Sequence, residues 1–262
     1  MVSFEKNEPK FYSFTMSRFR FLFSLAMLGL VAGMPAVQAQ TKPAKQPSPD
    51  AYRNAQWKPD KGKYYFSHAL IYEYTQKRDD IKGELWIFVD PVTGTMCFQR
   101  ESSFGATDDM NEVILALPDG KMIACGTTES GKKIRETFQN RAVKPEPDEV
   151  KLQQQTFREQ CKPTGNKRDE FGWESEQYVL SYLKTNESTK LWLAEVPFNV
   201  YPLYAFDEWE GDAQLPISFS YIYLLGPRQL LTEADDQYGS LKLVSYEPNP
   251  FFLDLNQYAK QH

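Results

Sequence analysis

The sequence predicts a mainly β (α+β) fold: a large curved antiparallel sheet or unclosed β-barrel, with one or two helices on its concave side. Three observations carry this. Aromatic residues make up 15% of the chain and gather in runs that alternate apolar and polar positions, the period-2 signature of a strand. Short turns with Pro, Gly and Asp join those runs, which favours hairpins between sequence neighbours. One charged, Gln-rich stretch interrupts them with helix-like spacing.

The first strand is "YYFSHALIYEYT", where alternation puts Tyr64, Phe66, His68, Leu70, Tyr72 and Tyr74 on one face. The polar turn "KRDDIKG" leads into "ELWIFVD", apolar on both faces. "PVTG" has Pro and Gly at the positions a tight turn prefers, and "TMCFQRES" follows as a third strand. "NEVILALPDGKMIACGTT" reads as two strands around a Pro-Asp-Gly turn. These five segments should form an antiparallel meander. After them the pattern changes. Ile134, Phe138 and Arg141 stand at helical spacing, and Val150, Leu152 and Phe157 outline a second helix beyond "KPEPD"; a long crossover is the alternative. Strands resume with "SEQYVLSYLK" and "TKLWLAEV", a second hairpin, which Pro197 ends because it cannot donate to a ladder. Val200–Phe206 is expected as a loop or short helix at the rim. "LPISFSYIYLL" and "GPRQLLTEADDQYGSLKLVSYEP" supply the last strands, and "NPFFLDLNQYAKQH" a terminal turn or short helix.

The beginning of the chain has export character. Arg18 and Arg20 precede an apolar run from Phe21 to Val31 and an Ala-x-Ala-like site at Val37-Gln38-Ala39. Residues 1–39 therefore read as a signal peptide cleaved after Ala39, with Met16 as an alternative start and an uncleaved anchor as the alternative fate. The run is shorter than the roughly 20 residues a spanning helix needs, so no integral span is expected after cleavage. Residues 40–60, rich in Pro, Lys and Gln, read as a disordered linker, and residues 61–262 as a single domain. The expected location is periplasmic or secreted.

Formal net charge is −5, and loss of the basic leader makes the remainder more acidic. This excludes the electrostatic footprint of a nucleic-acid binder. Motifs for phosphate loops, dinucleotides, nucleophile elbows and zinc proteases are missing from the sequence, so no catalytic, metal or cofactor residues are assigned. His68 sits beside Ser67, but strand neighbours point to opposite faces, which should keep the two apart. The acid pairs Asp79-Asp80, Asp108-Asp109, Asp207-Glu208 and Asp235-Asp236 all fall in turns and read as solvated charges. Among the cysteines, Cys97 and Cys125 should be separated by an intervening strand, about 10 Å apart and too far to bridge. Cys125–Cys161 is then the favoured pair if any forms, and three buried thiols are the alternative.

The aromatic faces can be packed core or an apolar groove sized for an acyl chain. If a groove, its candidates are Phe66, Tyr72, Trp86, Phe88, Trp192, Phe219 and Tyr221, with Phe198, Tyr201 and Tyr204 plugging it or guarding its mouth. The segments "ILALPDGKMIAC", "FGWESEQYVLSYLKTNESTKLWLAEVPFNVYPL" and "SYEPNPFFLDLNQY" supply a Trp192-x-x-x-x-Pro197-Phe198 line and a closing Pro248, Phe252, Asp254, Tyr258 approximation to the pattern P-x-x-x-F-x-L-x-x-Y. Together with the leader and the meander, this resembles secreted Gram-negative families of unknown function related to the LolA lipoprotein carriers. The resemblance implies a half-barrel over about Tyr64–Tyr258, no enzymatic activity and an acyl-chain ligand. The carriers latch a helical lid with an arginine, for which no position here is assigned. Two functions remain: an envelope protein holding a lipid or lipoprotein acyl chain, or a structural or protein-interaction module of the envelope with a filled core and no small ligand.

Overall fold

Strand pairing organises the chain from Lys63 to Lys260. The computed structural model describes residues 49–103, 105–106, 111–139, 147–182, 187–207, 213–215 and 224–260. Its elements, in order, are α1 (Pro49–Gln56), β1 (Lys63–Gln76), β2 (Ile81–Asp90), β3 (Thr95–Gln99), β4 (Gly105–Ala106), β5 (Asn111–Ala116), β6 (Lys121–Thr127) and β7 (Lys133–Gln139). They continue with α2 (Pro147–Gln160), β8 (Cys161–Glu170), β9 (Trp173–Tyr182), β10 (Glu187–Glu195) and α3 (Tyr201–Asp207). Last come β11 (Ala213–Gln214), β12 (Gln229–Asp235), β13 (Gly239–Asp254) and β14 (Ala259–Lys260). No helix among the described residues is long and apolar enough to cross a membrane.

One unclosed 12-stranded sheet runs β14-β7-β6-β5-β3-β2-β1-β13-β12-β10-β9-β8. All its pairings are antiparallel except β14 with β7. The expected meander is its β1-β2-β3-β5-β6 portion, and the expected second hairpin is β9–β10. The sheet must curl. Asp254 of β13 pairs with Lys63, and Ala259 pairs with Ile134 of β7. Five residues span at most about 18 Å, whereas the seven strand spacings between β13 and β14 would cover about 33 Å if flat. The curl is towards the face holding Leu255 and Tyr258, both of which join its apolar cluster.

Two apolar clusters result. One contains Leu70, Tyr72, Ile87, Phe98 and Ile114, and extends through Leu191 and Leu231 to α3. The other contains Phe66, Ile71, Phe88, Cys97, Leu115 and Cys125. The alternation expected along β1 breaks between them. The β1–β13 register shifts between Phe66 and His68, and again between Ile71 and Tyr72. Tyr64 and Phe66 therefore join Ala69 and Ile71, while Leu70 and Tyr72 face the other cluster. A bulge re-aims every side chain beyond it, and strict alternation cannot foresee that.

Two other expectations need correction. Ile134 and Phe138 lie on β7, paired with β6 along its whole length, not on a helix. Positions four apart share a face in a strand as well as in a helix, so their spacing could not discriminate. Arg141 lies outside the described residues. The stretch read as a linker carries α1. Its Arg53 donates to both carboxylate oxygens of the fully buried Asp90 at 2.7 and 2.6 Å, and Trp57 sets its edge on Tyr64, with ring centroids 5.3 Å apart. A helix this short does not hold by itself; this ion pair and ring contact dock it. By contrast, α2 bears out the helix expected after "KPEPD", with Pro147 at its start, where the missing N–H is harmless.

Candidate functional site

The face that carries the first cluster is closed in its middle by the chain itself. Val196 to Val200 crosses it and leads into α3, whose Asn199 side chain accepts from the Tyr201 N–H at 2.8 Å. Gly94, at φ +80, lets this segment approach: a Cβ there would stand 2.5 Å from the Asn199 carbonyl oxygen. Leu203, Tyr204, Ala205 and Phe206 are all buried. The Phe206 ring stacks on Phe98 at 3.9 Å, nearly parallel.

Two tyrosine hydroxyls complete this closure. β12 pairs with β13 only from Glu233 to Asp235, so among the described residues the backbone from Gln229 to Leu231 has no ladder partner on that side. Tyr204 Oη donates to the Gln229 carbonyl at 2.6 Å and accepts from the Leu231 N–H at 3.0 Å. Tyr72 Oη donates to the Leu231 carbonyl at 2.9 Å. Burial raises the pKa of both phenols above the usual range, so they remain neutral donors. Buried backbone groups need partners, and here side chains supply them.

The expected groove residues thus divide. Tyr72, Phe198, Tyr201 and Tyr204 come together in or against the first cluster. Phe198 packs on Trp173 and Tyr246, each at 5.8 Å. Phe66 and Phe88 lie in the second cluster with Trp86 against it, and both phenylalanines contact Phe251. Trp192 belongs to neither; its ring lies under the Arg168 guanidinium at 3.9 Å. Phe219 and Tyr221 lie outside the described residues.

Beside the closed middle, a cleft of about 570 Å³ remains beneath α2. Its walls include Phe157 of α2, Cys161 and Tyr178 of β8 and β9, Leu193 of β10, Tyr201 of α3 and Leu225. Polar groups are few. Tyr178 donates to Glu176 at 2.8 Å, and burial followed by that bond pushes its phenol up to about 12. The Gln229 side chain accepts from the Gly226 N–H at 2.8 Å. Gln154 and Arg158 of α2 stand at the edge. A smaller hollow of about 360 Å³ lies beside α1, between Gln56, Tyr65 and Phe252. Sequence reading found the Phe157 position on a helical stripe but not the strand face beneath it, because the crossing order of β8–β10 leaves no trace in periodicity.

Elsewhere, Ser67 Oγ and His68 Nδ1 are 2.8 Å apart, contrary to the expectation that strand geometry separates them. The register shift at this point is the reason. The imidazole stacks on Tyr246 at 4.8 Å, and burial lowers its pKa, which keeps it neutral near pH 7. No carboxylate is bonded to it among the described residues, and those residues hold no group of three metal-ligating side chains. All three cysteines are buried and free. Cys125 and Cys161 belong to different clusters, so the pair favoured from sequence does not form. Burial pushes Cys125 up to about 12 and Cys161 to about 11; as protonated thiols they are poor nucleophiles.

No family model matches the chain, and no curated protein matches it. Similar solved structures include PNGF-II in its C2 and P21 crystal forms, at TM-scores of 0.39 and 0.37 and identities of 9% and 10%. Each match covers 75% of this chain and 31% of that one, so the chain spans about a third of their length. At these TM-scores the likeness does not identify a shared fold.

Proposed function

We propose that this is a non-enzymatic envelope protein that binds a lipid or other apolar ligand in the cleft beneath α2. The observation that carries the reading is the cleft itself: about 570 Å³, within the roughly 300–1,000 Å³ of small-ligand sites, with Phe157, Leu193, Leu224 and Leu225 on its walls beside the polar side chains of Gln154, Arg158 and Gln229. Binding would be driven by removal of ligand apolar surface from water, worth about 25 cal/mol per Å². The volume suits one acyl chain better than the two of a diacyl lipid. Native mass spectrometry of the purified full chain tests this. A bound lipid that organic extraction removes, and that Leu193→Trp prevents, is the expected result. A bare chain that also fails to take up added palmitate or hexadecanol would overturn it.

A second reading has its own support. Phe198, Tyr204 and Phe206 leave the middle of the first-cluster face filled, each at most 3% exposed. That favours a structural or protein-interaction module of the envelope. A bare chain that co-purifies in fixed ratio with another envelope protein would speak for it.

A further inference from the structure

We infer that the ligand of this cleft is an anionic single-chain amphiphile, its head held at Arg158 and its chain lying on Phe157 and Leu193. This rests on the cleft reading above and adds the chemistry of the head. Arg158 is the one charged side chain on the cleft wall among the described residues. It is exposed on the last turn of α2, and none of the described carboxylates forms an ion pair with it.

A second cation stands at the same rim. Lys162 Nζ donates to the Arg158 carbonyl at 2.9 Å, which offsets the negative end of the helix and leaves the guanidinium free for a ligand. Two carboxylates also lie nearby and keep their charge, Glu159, which accepts from Gln155 Nε2 at 3.0 Å, and Glu176, which accepts from Tyr178, but neither is paired with the Arg158 guanidinium. Deeper in, the walls offer no comparable charge, so an apolar chain inside and an anionic head outside match the cleft. A cationic head would meet the Arg158 guanidinium as a like charge, and a neutral one would leave it unused. Guanidinium pairs bidentately with carboxylate and phosphate alike, so both head types fit.

Binding of palmitate, hexadecyl phosphate, hexadecanol and hexadecyltrimethylammonium to the full chain, read by displacement of a fluorescent apolar probe, decides the matter. Palmitate or hexadecyl phosphate should bind about tenfold more tightly than hexadecanol, as expected for a bond to a charged group, and the quaternary ammonium most weakly. The tighter of the two anions identifies the head, carboxylate or phosphate. Arg158→Gln should abolish the advantage of the anions and leave hexadecanol unchanged; Lys162→Gln should reduce it in part. Equal binding of palmitate and hexadecanol by the unaltered chain overturns the inference while the cleft reading survives. So does an Arg158→Gln variant that weakens both alike. If no amphiphile binds, and Leu193→Trp behaves as the unaltered chain, the cleft reading falls together with the inference.

Discussion

Two helices pack on the same apolar face and do opposite things there. α3 is seven residues, Tyr201–Asp207, with Leu203 to Phe206 buried on every side. α2 is twice as long and strongly polar; Leu152 on its stripe is 58% exposed, and Phe157 is the aromatic it contributes to the face. A helix that is apolar all round becomes part of a core, whereas one with a narrow apolar stripe covers a surface without filling it. The first is a plug, tied by tyrosine hydroxyls to β12. The second is a cover over a cleft. The comparison teaches that length and helicity say little about role, and that the distribution of apolar side chains around the axis says most.

The largest effect should come from the plug. Phe206→Ala removes a ring stacked on Phe98 at 3.9 Å and should lower stability by about 3–5 kcal/mol, read from urea unfolding midpoints. A loss below about 1 kcal/mol would mean α3 does not hold the face closed. Tyr204→Phe keeps the packing but strips partners from the Gln229 carbonyl and the Leu231 N–H. It should cost about 1–3 kcal/mol, with faster amide exchange at Leu231 in particular. If exchange there is unchanged, the hydroxyl does not substitute for the missing ladder.

The cover should respond in the reverse sense. Phe157→Ala should change stability by less than about 1.5 kcal/mol, since the ring is only partly buried, yet weaken binding of an apolar probe severalfold. A variant that unfolds as readily as Phe206→Ala would erase the distinction between the two helices. The smallest effect is a pH dependence. The Cys161 thiol is raised to about 11 in the native state, against about 8.5 when unfolded. A raised pKa means the native state favours the neutral thiol, so its contribution is complete below about pH 8.5 and is lost as pH rises towards 11. Thermal melts should show the wild type falling relative to Cys161→Ala across that window, and parallel curves would contradict a buried thiol on the cleft wall.

Much of the sheet was legible because strand and turn chemistry is local. "ELWIFVD", "PVTG" and "LPDGK" carry their own geometry, and the meander follows from their short connections. The candidate site was only half legible. Phe198 and Tyr204, expected to plug a groove or guard its mouth, are buried in the first cluster, whereas Phe66 and Tyr72 were assigned a common face that the register shift at Ser67 denies them. Trp192 read as groove lining and instead lies under Arg168. Cys161 and Tyr178, on the cleft wall, gave no signal, since a wall residue differs from a core residue only by what happens to stand opposite.

The sequence by itself determined the strands of the meander, the β9–β10 hairpin, most turns and the second helix, because each depends on side-chain type and spacing within a few residues; β7 and β8 escaped it, and α3 stayed open between a loop and a short helix. Only the tertiary structure decided the rest. Curling between β13 and β14 requires a pairing between distant strands, and the bulge in β1–β13 arises from two chains that must fit each other. The division of one face into a filled middle and an open cleft depends on where α2 and α3 dock. Those are properties of contacts between residues far apart in the chain, and no local pattern encodes the partner.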